Sequence, residues 1–197
     1  MFVDSDILMA WGGISKKFKK GEFIFHEGDF GRFYYQIYKG TIKMYNTNTE
    51  GKEFTQSEFK CGCSFGEPPL FIDEPYPSTA IATEDSIIIK LSKEKFFEII
   101  EEYPNLQKNL ITLFARRIYS KSTTAREIIN TTPKTRIISF LDAYKKKNQK
   151  GDEKIEIPYT RQEIANYTGL RVETVIRTLS KMKTNNVVQI VKRKLIY

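Results

Sequence analysis

Residues 160–183 read TRQEIANYTGLRVETVIRTLSKMK, and this stretch decides how the second half of the chain folds. Thr160 and Glu163 stand in the T-x-x-E spacing in which each side chain satisfies an orphan backbone amide near the other, so a helix starts at Arg161. Gly169 follows eight residues later, where a short helix must end in a left-handed turn. Ala165 is small enough for a second helix to cross closely. Val175 and Leu179 give that second helix a buried stripe, and Ile164 and Leu170 complete a small core. A short helix, a three- or four-residue turn with glycine and a second helix together predict a helix–turn–helix.

In that motif the second helix enters the major groove and its N-terminal residues reach base edges. Arg171, Val172, Glu173, Thr174 and Arg177 are thereby placed at the groove, Lys181 drifts toward the backbone, and Arg161 is placed to clamp a phosphate. Glutamate accepts from cytosine N4 and arginine grips guanine O6 and N7 with two hydrogen bonds. Glu173 and Arg177 lie four apart on one helical face, so they either read one G·C pair together or form a solvated ion pair with each other. Ile176, beside them, is placed to touch a thymine methyl. After the motif, VVQIV (187–191) and KLIY (194–197), joined through Lys192-Arg193, read as a two-stranded wing; KIEIPY (154–159) reads as a further strand of the same small sheet.

The charge supports this division of labour. The chain has 197 residues and a net charge of +8, yet residues 1–103 carry 12 Lys/Arg against 17 Asp/Glu, while residues 104–197 carry 20 against 7. The positive excess lies in the second half, which points to a polyanionic partner there. Glycine divides the chain in the same way: nine of 11 lie at or before Gly66, and only Gly151 and Gly169 follow. Between the early glycines lie short aromatic and β-branched runs, EFIFHEG (22–28), RFYYQIY (32–38), TIKMYNT (41–47) and KEFTQSEF (52–59), with SIIIKLS (86–92) later. Short strands at such spacing predict an all-β sandwich or barrel. Gly28-Asp29 and Glu50-Gly51 are expected tight turns.

From Ser92 the period changes. SKEKFFEIIEEYP (92–104) predicts a helix capped by Ser92, with Glu94 in its first turn, that ends before Pro104. Residues 105–130 then run without Gly or Pro, with apolar side chains at Leu106, Leu110, Leu113, Phe114, Ile118, Ala125 and Ile128. This is an amphipathic helix nearly 40 Å long at ~1.5 Å per residue. It either lies along the barrel as a core helix or pairs with a second copy as a dimer seam. Arg116-Arg117 and Lys121 keep one flank wet and favour the seam, formed by Leu106, Leu110, Leu113, Phe114 and Ile118. Thr131-Thr132-Pro133 stops this helix and starts another, KTRIISFLDAYKKKNQ (134–149). The expected division is 1–103, 104–130 and 131–197.

Several function classes are excluded on residue supply. One histidine, His26, leaves most metalloenzymes and His-dependent hydrolases without their ligands or base, so no enzyme is expected. A cupin-type barrel would need several metal-ligating side chains. Two cysteines, Cys61 and Cys63, build no disulfide framework and suit a reducing compartment. No apolar run reaches the ~20 residues that span a bilayer, and MFVDSDILMAW has acids where a secretory leader needs a basic stretch. A cytoplasmic protein is expected.

With both halves read, the chain resembles the Crp/Fnr family of bacterial transcription factors, the cyclic-AMP receptor proteins and fumarate–nitrate regulators. The residues that carry the resemblance are KKGEFIFHEGDFGRFYYQIYKGTIKMY (19–45), SFGEPPLF (64–71), ARRIYSKS (115–122) and TRQEIANYTGLRVETVIRTL (160–179), so it covers nearly the whole length. It implies an α+β chain with an N-terminal β-roll of the jelly-roll, cyclic-nucleotide-binding type. A long dimerisation helix and a C-terminal winged helix–turn–helix would follow. The implied partners are double-stranded DNA, a second copy of the chain and RNA polymerase, and no membrane. Gly66, Glu67, Ser78 and Thr79 would line an effector pocket, closed by Lys121 and Ser122 on the long helix. Cyclic-nucleotide-binding members end their phosphate cassette in Arg-Ser, whereas this chain has Pro77-Ser78. A desolvated cyclic phosphate without its cation has little to hold it. The expected effector is therefore something other than cyclic AMP, or none; the alternative is a cyclic-nucleotide regulator with an atypical cassette. An iron–sulfur cluster is not expected, since it takes four cysteines where two are present. Haem is not expected either, because His26 stands in the FIFHEGD turn with no second axial candidate. Cys61-Gly-Cys63 reads as small residues in a turn, with a redox pair or half of an intersubunit metal site as the other readings.

Overall fold

The computed structural model describes residues 2–130, 132–148, 153–192 and 194–197, and within them all side chains except those of Thr124 and residues 126–130. Four expectations fall elsewhere: the domain boundary at Thr131, Gly151, Arg193 in the wing and the side chain of Ile128 lie outside the described residues. The chain divides into two compact units, the first ending at Arg117 and the second beginning at Ile118.

The first unit is a sandwich of short strands with helices on its surface. In chain order it contains α1 (Ser5–Ala10), β1 (Ile14–Phe18), β2 (Phe23–Phe25), β3 (Phe33–Lys39), β4 (Thr41–Thr47), β5 (Glu53–Lys60), β6 (Ser64–Phe65), α2 (Pro68–Ile72), β7 (Thr79–Ala82), β8 (Ser86–Ser92) and α3 (Lys93–Glu102). The first part of α4 (Pro104–Asn130) also belongs to it. Two antiparallel sheets, ordered β1-β8-β3-β6 and β2-β7-β4-β5, face each other. Each expected run became a strand, and β3 turns directly into β4 at Gly40. The φ of +97° there suits only glycine, and an added Cβ would meet Ser86 Oγ at 2.1 Å.

Between the sheets Phe18, Ile37, Ile42, Phe65 and Ile88 are buried, with the rings of Phe25 and Tyr76 stacked at 3.6 Å. A second cluster, Leu8, Tyr34, Leu91, Phe96 and Ile99, is covered by α1, α3 and the start of α4. Ser92 caps α3 by accepting from Lys95 N, and Pro104 begins α4 as well as following α3.

The start of α4 packs on the roll. Leu110 is buried in this second cluster, Leu106, Leu113 and Phe114 pack against it, and Phe71 meets Phe114 edge-on at 5.7 Å. Leu110 fills the core of its own chain and the other three are half-buried against it, so the roll takes up part of the stripe expected of the seam. Periodicity finds an apolar stripe without saying which body covers it, and here the roll does. Among the described side chains of α4, the large apolar ones left exposed are Ile111, Ile118 and Tyr119, by 69%, 66% and 77%.

The second unit contains α5 (Pro133–Asn148), β9 (Glu156–Ile157), α6 (Arg161–Thr168), α7 (Val172–Thr184), β10 (Gln189–Val191) and β11 (Lys194–Ile196). Its three strands form an antiparallel sheet ordered β10-β11-β9, the expected wing with its third strand. Ile137 and Leu141 of α5, Ile164 and Ala165 of α6, Val175, Leu179 and Met182 of α7 and Leu195 of the sheet share one core. Among the described residues, no helix is long and apolar enough to cross a membrane.

Candidate nucleic-acid interface and roll site

The helix–turn–helix is built as its residues dictate. Thr160 Oγ1 accepts from Glu163 N at 3.1 Å while Thr160 N donates to Glu163 Oε2 at 2.7 Å, closing the capping box. Gly169 ends α6 in the left-handed conformation at φ 69°. Ala165 is fully buried beside Val175 and Leu179, where a larger side chain would hold the helices apart.

This frame presents the start and one side of α7. Arg171, Glu173, Arg177 and Lys181 are exposed, Thr174 is half-buried, and Ile176 is 50% exposed. Arg161, at the start of α6, is half-buried. Val172 is half-buried and packs against the core of the unit. Glu173 and Arg177 form no ion pair with each other. Thr174, Arg177 and Lys181 instead line a cleft whose other wall is the start of α5, with Thr132 and Lys134. Lys134, Thr178 and Asn185 escaped the sequence reading, since nothing local tells which face of α7 looks toward α5.

The roll site differs more. Glu67 is fully buried, and its Oε2 receives Arg117 Nη1 at 2.7 Å. Arg117 Nη2 donates to the Ser64 carbonyl at 2.6 Å, and its guanidinium lies over the Phe59 ring, 5.2 Å from the centroid. Glu67 Oε1, Ser64 Oγ and Tyr76 Oη are buried without a hydrogen-bond partner among the described residues. Gly66, at φ 74°, lies so close to Phe25 and Tyr76 that a side chain there would crowd both rings. Ser78 is buried, and Thr79 Oγ1 accepts from Glu27 N at 3.0 Å. Lys121 and Ser122 are exposed on α4. Arg117 is therefore the residue that sequence reasoning missed. It was visible as a wet flank, and only the packed roll shows it turned inward to a buried carboxylate.

Pro77 contributes its carbonyl to Asn46 Nδ2 at 2.5 Å, and no cation, so these residues do not fit a cyclic phosphate held in the Arg-Ser manner. Cys61 and Cys63 are exposed free thiols, half of a four-cysteine set, and Cys61 Sγ donates to the Tyr38 carbonyl. His26 is exposed, its ring 4.5 Å from that of Phe23. Among the described residues, no group of three or more His, Cys, Asp or Glu is placed to hold a metal ion.

Comparison with known proteins agrees with both halves. Residues 15–103 match the cyclic nucleotide-binding domain, and residues 135–197 match the Crp-like helix-turn-helix domain. The chain is 28% identical to the transcriptional activator protein Anr of Pseudomonas aeruginosa over 177 residues, 86% of this chain and 70% of that one. It is 26% identical to the fumarate and nitrate reduction regulatory protein of Vibrio cholerae over 178 residues, 89% of this chain and 71% of that one. In fold it is similar to the c-di-GMP-responsive global regulator CLP of Xanthomonas campestris, with a TM-score of 0.85 over 97% of this chain and 96% of that one at 16% identity. A cyclic-nucleotide-binding-type roll followed by a Crp-like helix–turn–helix, in the order of these regulators, places the chain in the Crp/Fnr family of transcription regulators.

Proposed function

We propose that the chain is a sequence-specific DNA-binding regulator that grips an inverted repeat as a homodimer, acts in the cytoplasm and passes its effect to RNA polymerase. The observation that carries this is the exposed face of α7, with Arg171, Glu173, Arg177 and Lys181 displayed on a helix that α6 and its two caps hold rigid. Arg177 is assigned to guanine and Glu173 to the paired cytosine, Ile176 to a neighbouring thymine methyl, and Arg161 and Lys181 to phosphates. Support for the homodimer comes from Ile111 and Ile118, seven residues apart on one face of α4 and exposed in the single chain, with Tyr119 beside them. The test is selection from a random duplex library, with light scattering of the free protein. The expected outcome is a palindrome with half-sites ~10–10.5 bp apart, or a multiple, bound by a dimer. Binding should weaken steeply with salt. Selection without a palindrome, or a monomer at micromolar concentration, overturns the reading.

The effector assigned to the roll is not cyclic AMP, haem or an iron–sulfur cluster, and an effector-free regulator fits equally. Losing the charge-assisted contact that Pro77 replaces costs ~1.5–3 kcal/mol, at least tenfold in affinity. One observation favours a second reading, an atypical cyclic-nucleotide site: Arg117 brings a cation to Glu67 from α4. Calorimetry with cyclic AMP decides between them. No binding at micromolar concentration supports the first reading, and micromolar affinity supports the second.

A further inference from the structure

The turn between β5 and β6 holds the chain's two cysteines, Cys61 and Cys63, with Gly62 between them. Cys63 N donates to the Lys60 carbonyl at 3.0 Å, and Gly62, at φ 84°, makes the bend that this bond closes. Three further backbone bonds fix the turn to its surroundings. Gly62 N donates to the Ile37 carbonyl at 2.8 Å, Ile37 N to the Cys63 carbonyl at 2.9 Å, and Phe2 N to the Gly62 carbonyl at 3.0 Å. Two trans peptides, each ~3.8 Å between Cα atoms, keep the cysteines within ~7.6 Å of each other, and the bend shortens that span. Two thiols on so short a stretch of fixed backbone can close on one atom.

Cysteine is among the residue types most often buried, so a pair left at the surface is available for the chemistry of its sulfur. Both thiols are exposed and free. Cys61 Sγ donates at 3.0 Å to the carbonyl of Tyr38, which sits at the register shift of β3 between Ile37 and Lys39. That bond belongs to the protonated thiol alone. Once the proton leaves, sulfur and carbonyl oxygen repel each other and the thiolate is free to turn away. Lys39 and Lys60, both exposed, stand one residue from Tyr38 and from Cys61 and add positive charge where thiolates would form.

The number of ligands narrows the occupant. Among the described residues, no third His, Cys, Asp or Glu joins the pair, so the tetrahedral set that zinc takes is not met. Thiolate sulfur is a soft ligand and selects copper(I), a filled-shell ion that two thiolates in line can satisfy. We infer that Cys61 and Cys63 form a chelating seat on the roll for a monovalent thiophilic metal ion, copper(I). Binding exchanges two S–H bonds for two metal–sulfur bonds and releases two protons, with no change of oxidation state at metal or sulfur. The seat is independent of the DNA-binding reading above.

The test uses the full chain, reduced and kept free of oxygen, with copper(I) held by excess bicinchoninate, whose colour fades as the protein withdraws the metal. One equivalent per chain is expected, with a thiolate-to-copper absorption in the ultraviolet. Cys61→Ser and Cys63→Ser should each withdraw none while melting with the wild type, because both side chains are exposed. Alkylating both wild-type thiols with iodoacetamide should abolish uptake in the same way, which separates loss of the sulfurs from any folding defect in the variants. Zinc(II), offered against a chromophoric chelator of its own, should stay with that chelator, since two ligands leave half of its coordination unmet. A wild type that leaves copper with bicinchoninate overturns the inference, as does uptake by either serine variant or zinc bound as readily as copper. Half an equivalent per chain means a site shared between two copies and overturns the chelate within one turn. Loss of both thiols and of two hydrogens in mass, with no metal retained, means a redox pair and overturns it too.

Discussion

Arg117 on α4 and Glu67 at the entry to α2 are joined at 2.7 Å, with the carboxylate fully buried. Fifty residues apart in sequence, they tie the long helix to the roll that would sense an effector. The second guanidinium nitrogen holds the Ser64 carbonyl, so one side chain fastens both ends of the turn that leads into α2. Arg117 supplies the counter-charge to a carboxylate taken out of water.

Removing that cation leaves a buried carboxylate without compensation. Arg117→Met is expected to cost about 3 kcal/mol, the low end for breaking a buried pair, because Arg117 itself is partly exposed. Glu67→Gln combined with Arg117→Met should recover a large part of the loss. Urea denaturation of the two variants measures it, and an Arg117→Met protein as stable as the wild type contradicts the role given to this pair.

The roll should weaken in alkali. Burial, with the charge of Asp29 second, pushes Tyr35 up to about 12. Tyr76 is raised further by burial and then by Tyr35, Glu67 and Asp29, and Tyr34 is raised by burial and then by Glu67. A phenol whose folded value lies above its unfolded value near 10 contributes stability that is present below pH 10 and lost as pH rises through the folded value. Stability is therefore expected to hold up to about pH 10. It should then fall by up to ~1.4 kcal/mol per pH unit for each of these tyrosines. Denaturant melts followed alongside tyrosinate absorbance test this; ionisation of every tyrosine near pH 10 without loss of stability would count against it.

Dimerisation and folding should separate on α4. Ile111→Glu with Ile118→Glu is expected to give a folded monomer that no longer binds the palindrome, since both side chains are exposed in the single chain. Leu110→Ala, by contrast, should destabilise the roll by ~2–5 kcal/mol through the cavity it leaves. Light scattering and thermal melts distinguish the two. An unfolded double glutamate variant, or one that remains a dimer, contradicts the assignment of the face.

On α7 the expected split is between base and backbone. Arg177→Ala should cost ~1–3 kcal/mol and relax specificity at one G·C pair. Lys181→Ala should weaken all sequences alike and flatten the salt slope by about one unit. Titration of matched and mismatched duplexes at several salt concentrations measures both. Equal loss on every sequence for Arg177→Ala would move that residue from the base edge to the phosphate.

The helix–turn–helix was legible in the sequence because its determinants are local. The T-x-x-E cap acts over three residues, a left-handed turn needs Gly169 wherever it occurs, and Ala165 with Val175 meets across a single short turn. The five expected strands of the first unit were legible for the same reason, as were the wing and the starts of α3 and α5. Elements whose residues follow no period on their own were not. β1 is an edge strand with four of its five residues exposed, so it shows no alternation, and β6 and α2 are held by partners far along the chain. Three outcomes depended on tertiary packing alone: that the roll packs against Leu106, Leu110, Leu113 and Phe114, that Arg117 turns inward to Glu67, and that Lys134 and Lys181 line one cleft. A sequence pattern states which side chains avoid water or carry charge, but burial and ion pairing are properties of two surfaces, and the second surface exists only once the chain has folded.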